Sequence, residues 1–579
     1  NTGGHRRKSR ELQRQEDHER EDSTPRQARH QHIEAAPGGS LSAPLTGAPA
    51  PEGAAKRWMC RLHLDRQDTI RGYSSQQDIQ MLTTRVLNWV ITGLAAVACL
   101  TVADPAQADV SLSKIFGSNM VLQRGMEIPV WGWAEPGEKV TVKIGKHAAN
   151  ATAGADKRWD VKLPAHKAGG PHTVTISGKN SITLENVLIG EVWICSGQSN
   201  MQWPVDSADD ADIEKVTAKF PNLRLITVPQ VGTQEPQNDF GGEGWHECAP
   251  ENVGQFSAVG YYFGRQLHQT LDIPIGLIDN AWGGSACEAW VRRDLLKADD
   301  RYNELLARWV DTEKTYDHDK AMAVYQAKRE AWQAKVKEAR AAKKPIPNGP
   351  RPPRNILAGQ HRPANLYNGV LKPTIGYGIK GAIWYQGESN SGRAYQYRHL
   401  FPLMIQQWRD EWKQGDFPFY FVQLADFRDE SAEPQESSWA ELREAQTMTL
   451  AKLPNTGQAV ITDLGEAHDI HPKDKQNVGK RLARWALARD YGINLVHRSP
   501  EFKSAEVKGN KVIVTLDHVG GGLVPGLCLF RFSVRADTDA GPSAEPRVAA
   551  DLLVSEARCR RRLWASAVHE ADGGVGDGQ

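Results

Sequence analysis

Four short segments of the chain combine the residue types that acyl transfer requires. This chemistry needs a nucleophile, a base, an acid that orients the base, and hydrogen-bond donors for the oxyanion. In chain order the segments supply a serine, a glycine turn, a Gln/Glu/Asn cluster and an Asp-x-His pair. They are Gly197-Gln198-Ser199-Asn200, Asn280-Ala281-Trp282-Gly283-Gly284-Ser285, Trp384-Tyr385-Gln386-Gly387-Glu388-Ser389-Asn390 and His468-Asp469-Ile470-His471-Pro472.

Each segment is a weak signal alone, because turn serines often only form local hydrogen bonds and Gly-Gly turns are common. Ser199, however, follows an apolar run over 187–195 that predicts a buried strand. Open α/β sheets bind ligands at the carboxyl ends of their strands. The chain has no G-x-S-x-G motif, which argues against an α/β-hydrolase. It has neither H-E-x-x-H nor a C-x-x-C pair, so we expect no metal and no cofactor.

The elements that must position these segments are those of a mainly parallel α/β sheet over residues 187–500. There, apolar runs alternate with amphipathic stretches, a pattern that predicts parallel strands covered by helices on both faces. The predicted strands are 187–195, 275–280, 380–385, 417–423 and 458–462, and the predicted helices are 259–271, 397–412, 440–451 and 475–489. Residues 299–353 are rich in Ala, Lys, Glu and Arg before a Pro-rich end, and predict a solvated helical insertion.

The regions on either side of this sheet have β character. Residues 109–186 alternate short β-like runs with turn signals, which predicts a β-sandwich. Residues 501–523 begin a second β-domain, with a hairpin over 507–516 that turns at Gly509-Asn510. After that the chain becomes rich in Arg, Ala and Gly and loses its strand alternation. Our hypothesis is a frameshift near Leu523, which leaves 524–579 as an out-of-frame tail and the second β-domain truncated.

The first 108 residues predict no folded domain. Residues 1–80 are polar and without apolar periodicity, which predicts disorder. Residues 81–108 have a basic start, an apolar run and an Ala106-Gln107-Ala108 cleavage site, the pattern of a secretory signal peptide. Because a signal peptide belongs at an N-terminus, we hypothesise that Met81 is the true start and that 1–80 is upstream, non-native sequence. The protein is then expected to be secreted or periplasmic, without stable membrane insertion after cleavage.

The overall composition argues against a polyanion-binding protein. The 579 residues include 71 Lys and Arg and 70 Asp and Glu, for a net charge of +1, so no global field attracts nucleic acid. The hydrophobic fraction of 40% is sufficient for a globular core. Tryptophan is abundant at 18 residues, and its rings either stack on sugars or serve the core. The oligomeric state stays open.

The four segments together resemble the SGNH (GDSL-like) hydrolases, and more narrowly the sialate O-acetylesterase family. The resemblance rests on GQSNM, WGGS, WYQGESN and DIHP-x-x-K in this order, and on the opening VLQRG, VWGWA and PGEKVTV strings of the first β region. It covers about residues 109–520. It implies an SGNH-type three-layer α/β/α core with a mainly parallel sheet, flanked by β-sandwich modules.

The resemblance also implies roles for individual residues. Ser199 is the nucleophile and His471 the general base. The orienting acid is Asp469 or Glu388, since the interval here is Asp-x-His rather than the usual Asp-x-x-His of the superfamily. The oxyanion hole is expected to use the backbone N–H groups of Ser199 and Gly284 and the side chain of Gln386, with Asn390 as an alternative donor.

The expected function is that of a secreted carbohydrate esterase that removes O-acetyl groups from a sugar or glycan, similar to a sialate 9-O-acetylesterase. One alternative is an acetylesterase for xylan or another plant polysaccharide, which has the same chemistry on a different sugar. Another is a non-catalytic glycan-binding protein in which the Trp-rich β region acts. A lipase-like SGNH enzyme is disfavoured by the polar residues clustered at the site.

Overall fold

The computed structural model describes residues 109–429, 435–509 and 511–519, together with one pair of short strands, Phe530–Arg531 and Leu553–Val554. These residues belong to one compact unit, Ala103–Gln579. The expected disordered segment 1–80 and signal peptide 81–108 lie outside the described residues. So does the tail 524–579, apart from that strand pair.

Short strands occupy the first described region, as the alternating sequence predicts. The strands are β1 (Ser111–Leu112), β2 (Val121–Gln123), β3 (Ile128–Trp133), β4 (Lys139–Ile144), β5 (His147–Thr152), β6 (Arg158–Leu163) and β7 (Gly169–Ser177). Strands β1, β3 and β6 form one antiparallel sheet, and β4 pairs antiparallel with β5 and β7. Every second residue of β4 is buried, so one face of the strand lies on the core.

One long strand, β8 (Ser181–Gly197), joins this region to the α/β sheet. Its first part pairs antiparallel with β7, and Leu188 to Gly190 pair in parallel with β2. Its last residues, from Glu191 on, lie between two parallel neighbours and are buried. One continuous strand therefore crosses the predicted boundary between residues 186 and 187.

The strands after β8 are β9 (Phe220–Thr227), β10 (His246–Cys248), β11 (Ile275–Asp279), β12 (Gly381–Tyr385), β13 (Phe419–Val422) and β14 (Thr456–Ala459). Among the described residues, the α/β region contains six parallel strands, and the complete sheet is mixed and eleven-stranded. The order across its main path is β10-β9-β11-β8-β12-β13-β14, with β10 antiparallel at one edge. The fold is thus mixed α/β.

Strand β9 was missing from the sequence-based prediction because a charged residue interrupts its apolar run. Arg224 is only 2% exposed, and its guanidinium donates to the backbone carbonyls of Pro221, Asn119 and Asn186. These bonds and an ion pair with Glu247 satisfy the buried cation, so the strand can lie inside the sheet. The β10 edge strand was also missed. The predicted strand 458–462 was placed too late, since β14 begins at Thr456.

The helices agree with the predicted amphipathic stretches in the α/β region. The helices Ala258–Leu271 and Lys475–Arg489 pack closely because Gly479 has no side chain. A Cβ there would lie 2.7 Å from the Tyr262 Cβ. The helices are α1 (Ser199–Gln202), α2 (Ala211–Thr217), α3 (Pro250–Val253), α4 (Ala258–Leu271), α5 (Arg293–Lys297), α6 (Asn303–Thr315), α7 (His318–Ala341), α8 (Ala394–Trp412), α9 (Ser438–Thr447), α10 (Thr449–Lys452) and α11 (Lys475–Arg489).

The predicted insertion 299–353 contains helices α6 and α7. Its beginning is part of the core, since Tyr302 and Leu305 are buried, whereas α7 has no buried residue. The expected hairpin near the end of the described chain is also present, as β15 (Glu501–Lys508) paired antiparallel with β16 (Lys511–Asp517). Most of β15 faces solvent, including Phe502 and Val507.

The end of β8 allows no side chain at residue 197. Gly197 has a φ of +139°, and a Cβ there would lie 2.1 Å from the Tyr385 carbonyl oxygen on β12. We expect Gly197→Ala to lower the free energy of unfolding by about 2–4 kcal/mol, because it adds both backbone strain and a clash. Urea unfolding measures the loss. Gly241→Ala is the control, because its Cβ would meet nothing within 4 Å, and an equal loss in both variants would contradict the prediction.

Candidate active site

The four polar segments meet at one edge of the parallel sheet. Ser199 follows β8, the glycine turn follows β11, and Gln386 follows β12. The three strands are neighbours, with β8 in the middle. Strands β9, β10 and β11 lie on one side of β8, and the later strands β12, β13 and β14 lie on the other. Ser199 therefore lies where open α/β sheets form their binding crevices, at the point where the strand order reverses.

Hydrogen bonds tie these loops to the end of β8. The Gly197 carbonyl accepts from the Trp282 N–H at 3.0 Å and from the Ser285 hydroxyl at 3.2 Å. The side-chain oxygen of Gln198 accepts from the N–H groups of Gly387 and Ser389, each at 3.3 Å. The loops after β11 and β12 are therefore held in place by the two residues that precede Ser199.

Ser199 and His471 form the central contact of the site. The two residues are 272 positions apart in sequence, yet His471 Nε2 lies 2.8 Å from Ser199 Oγ. Both side chains are partly exposed, so a substrate can reach them. The indole of Trp203 stacks on the imidazole, with ring centroids 4.7 Å apart and an interplanar angle of 17°. This stacking fixes the plane of the imidazole that faces the serine.

Of the two candidate acids, Asp469 is the one that faces His471. Asp469 Oδ1 accepts the backbone N–H of His471 at 2.9 Å and lies 3.7 Å from the ring Nδ1. Glu388 instead accepts from the side-chain amide of Asn200 at 2.6 Å. Among the described residues, no hydrogen bond or ion pair joins Glu388 to His471. His468 is not part of the site, since it is exposed and pairs with Asp429.

The surroundings favour the neutral, proton-accepting form of His471. Burial lowers its pKa below the ordinary histidine value, the positive charge of Lys475 lowers it further, and Asp469 acts in the opposite direction. Burial raises the pKa of the Glu388 carboxyl. A neutral imidazole with Nε2 directed at a serine hydroxyl can accept its proton.

The glycine turn lies beside the serine. A Cβ on Gly283 would be 3.5 Å from the Ser199 Cβ. The Gly283 N–H donates to the Gln202 side chain at 2.7 Å, whereas Gly284, at a φ of +70°, accepts the Ser389 hydroxyl through its carbonyl. Within the described residues, the N–H groups of Gly284 and Ser199 have no protein acceptor, the latter because it opens helix α1.

The side chains of Gln386 and Asn390 do not face the serine. The Gln386 amide donates to the Ser285 carbonyl at 3.1 Å and to Asn390 Oδ1 at 2.7 Å. The Asn390 amide donates to the carboxylate of Glu288 at 2.9 Å. Both residues are buried. Because their donors are engaged inside the protein, the geometry disfavours them as oxyanion donors and makes them supports of the glycine loop.

Three residues near the reacting pair were missed as individual site residues by the sequence analysis. Asn200 lies in helix α1 directly after the serine, Trp203 follows the end of that helix, and Lys475 begins helix α11. Lys475 is fully buried, and its ammonium group donates to the Asn200 side-chain oxygen. A signal for it was present, since Lys475 stands in the same helical stripe as the buried Val478, Gly479 and Leu482.

No group of three His, Cys, Asp or Glu side chains in the described part of the chain could hold a metal ion. None of its helices has the length and apolar content to cross a membrane. A separate cleft of about 910 Å³, with Trp131, Lys380 and Trp412 in its wall, contains none of the candidate site residues.

Known proteins share this arrangement of sequence and fold. Residues 189–343 and 361–488 match the family described as carbohydrate esterase, sialic acid-specific acetylesterase. The rat sialate O-acetylesterase is 30% identical over 435 residues, which cover 69% of this chain and 77% of the rat protein. The human sialate O-acetylesterase is 29% identical over 468 residues, which cover 74% and 80%.

A solved structure agrees with these sequence relationships. The crystal structure of a carbohydrate acetylesterase from Xanthomonas citri is 34% identical, covers 76% of this chain and 88% of its own, and has a TM-score of 0.59. The matched residues include Ser199 and His471 and the loops around them. The chain therefore belongs to the sialate O-acetylesterase family of carbohydrate esterases.

Proposed function

We propose that this esterase hydrolyses O-acetyl esters of sugars through a Ser199–His471–Asp469 acyl-enzyme mechanism. The observation that carries the proposal is the 2.8 Å contact between His471 Nε2 and Ser199 Oγ at the carboxyl end of β8. A serine hydroxyl is a weak nucleophile until a neighbouring base accepts its proton. His471 is the base within reach, and burial and the Lys475 charge keep it neutral.

The first half of the reaction acylates the serine. His471 accepts the hydroxyl proton as Ser199 Oγ attacks the acetyl carbonyl, and the carbonyl oxygen becomes an oxyanion. The N–H groups of Ser199 and Gly284 receive this charge, since both lack protein acceptors among the described residues. Backbone donors fixed before the reaction stabilise an oxyanion without reorganisation. The C–O bond to the sugar then breaks, and the sugar oxygen leaves with the proton from His471.

The second half frees the enzyme. A water molecule gives a proton to His471 and attacks the acetyl carbon, and acetate leaves as the Ser199 oxygen recovers the proton. Asp469, 3.7 Å from His471 Nδ1, holds the ring orientation and stabilises the imidazolium that forms in each half. In this scheme Glu388 acts through Asn200 rather than on the base.

The proposal extends to the substrate, the architecture and the location. O-acetylated sialic acid is the proposed substrate, supported by the family and by the names of its mammalian relatives. The mixed α/β region is proposed to be an SGNH-type three-layer core between an N-terminal β-sandwich, 109–186, and a truncated C-terminal β-domain from residue 501. The signal-like segment 81–108 supports export to the periplasm or the medium.

Acetate release tests the proposal directly. We expect the full chain to release acetate from 4-nitrophenyl acetate and from O-acetylated sialic acid, and Ser199→Ala to abolish both activities because the covalent route is lost. The exposed Ser207→Ala variant is the matched control and should retain the wild-type rate.

The substrate panel separates the alternatives. Release from 4-nitrophenyl acetate and acetylated xylan, but not from the sialic acid ester, would indicate that the substrate is a plant polysaccharide. Preference for a long-chain ester would indicate a lipase. No release from any ester, with Ser199→Ala indistinguishable from the wild type, would overturn the proposal in favour of a glycan-binding protein.

The two carboxylates should differ in their effect on turnover. We expect Asp469→Asn to lower kcat by on the order of 100-fold or more, since the imidazolium loses its counter-charge. Glu388→Gln should lower kcat by about tenfold or less, because the new amide can still accept the Asn200 hydrogen bond. Asp463→Asn, which alters only an exposed pair with Arg481, is the control. A larger loss in Glu388→Gln than in Asp469→Asn would identify Glu388 as the orienting acid.

The pH dependence should reflect the lowered pKa of His471. The base acts when neutral, so kcat/KM rises with pH through the pKa of the free enzyme. Because burial and Lys475 lower that pKa, we expect the midpoint of the acid limb to lie below about 6.5, the ordinary value for histidine. The exposed His468→Gln variant should leave the profile unchanged. A midpoint at or above the ordinary value would contradict the assignment.

A further inference from the structure

A fully buried lysine lies directly behind the reacting pair. Lys475 opens helix α11 four residues after His471, and its relative exposure is 0%. Its ammonium group lies 5.7 Å from the ring centre of Trp203 and 5.5 Å from that of Tyr385, and it donates to Asn200 Oδ1. Lysine is almost never fully buried unless it is paired. The contacts of Lys475 must therefore offset the cost of burying its charge.

Asn200 connects this lysine to both halves of the site. It is the residue after Ser199, so its backbone continues directly from the nucleophile. Its amide donates to Glu388 Oε1 at 2.6 Å and to the carbonyl of Ile470, the residue before His471, at 3.0 Å. One side chain thus joins the serine turn, the loop after β12 and the histidine segment, and Lys475 completes its hydrogen bonding.

We propose that Lys475 is a positioning residue of the esterase site, which acts through Asn200 to hold Ser199 and the His471 segment at hydrogen-bonding distance. The inference rests on the proposed function of Ser199 and His471. Lys475 touches neither reacting atom. It keeps Asn200 in the one orientation that bonds Glu388 and Ile470 together, because an ammonium group donates only and so fixes which end of the amide faces it.

The charges around Lys475 give the residue a second effect on the base. Glu388, Asp469, Glu466 and Asp474 face it and raise its pKa, while burial acts in the opposite direction and lowers it to about 7. Lys475 is thus protonated over the acidic range in which His471 titrates. There its positive charge opposes protonation of His471, so the imidazole stays neutral to lower pH.

Replacement of Lys475 by methionine separates positioning from a merely structural role. Methionine preserves the unbranched shape and removes the charge and the donors. The variant leaves Asn200 Oδ1 without its donor and buried Glu388 without a nearby cation, so we expect Lys475→Met to unfold at a lower temperature than the wild type. At a temperature well below that transition, where the variant is folded, kcat should fall by on the order of 10–100-fold with little change in KM, because small displacements of reacting groups are costly. Lys473→Met, on the exposed residue two positions before, is the matched control.

Two further measurements distinguish this inference from its alternatives. The acid limb of kcat/KM should shift to higher pH in Lys475→Met, since the neighbouring positive charge is gone, while Lys473→Met leaves it unchanged. Asn200→Ala should lower kcat similarly, and the double variant Lys475→Met/Asn200→Ala should lose little more than either single one. If the losses in kcat of the two single variants instead add up in the double variant, Lys475 does not act through Asn200.

A titration independent of turnover separates failure of the inference from failure of the proposed function. Histidine NMR signals of the Ser199→Ala protein, with His471 assigned by its loss in His471→Gln, report the pKa of the ring directly. We expect Lys475→Met to raise this pKa even if no ester is cleaved. An unchanged pKa together with an unchanged kcat would overturn the inference, whereas an inactive wild type with the expected pKa shift would overturn only the esterase assignment.

Discussion

The position of Ser199 depends on the pairing of strand β8 on both of its edges. β8 lies between β11 and β12, and its last residues pair with Asp279 on one side and Tyr385 on the other. A strand held by parallel neighbours on both edges cannot shift without breaking two rows of hydrogen bonds. The chain leaves this strand through Gly197, whose backbone only a residue without a side chain can adopt. Rigid support of this kind places a nucleophile more accurately than a free loop does.

Most of the α/β region could be predicted because its strands and helices satisfy simple patterns. Buried parallel strands are continuous apolar runs, and Lys475–Arg489 has the helical period that predicted its bounds. The sequence-based prediction failed where tertiary contacts, rather than the local pattern of apolar residues, determine the structure. Strand β9 contains Arg224, whose charge is satisfied by carbonyl groups from distant parts of the chain. The continuity of β8 across the expected domain boundary could likewise not be predicted from the sequence, because the pairing of β8 with β7 does not depend on local sequence.

The candidate site was predictable in its reactive residues and less so in its supports. Ser199, His471 and the glycine turn carry functional groups whose chemistry a motif reveals. The orientation of Gln386 and Asn390 does not follow from their motif, and their amides face Ser285 and Glu288 inside the protein. Whether an amide faces a substrate or the core is decided by packing, and sequence spacing contains no information about it.

The continuity of β8 also determines whether the N-terminal β region can be removed from the rest of the protein. A β-domain that precedes an enzyme is commonly treated as a detachable module joined by a linker. Here the connection is a single strand that belongs to both regions, with β2 and β7 paired along its first part. Truncation before residue 181 would remove those partners and leave an unpaired edge on the strand that leads to Ser199. The two regions are therefore expected to unfold as one cooperative unit, and the N-terminal β region serves as an internal scaffold of the esterase.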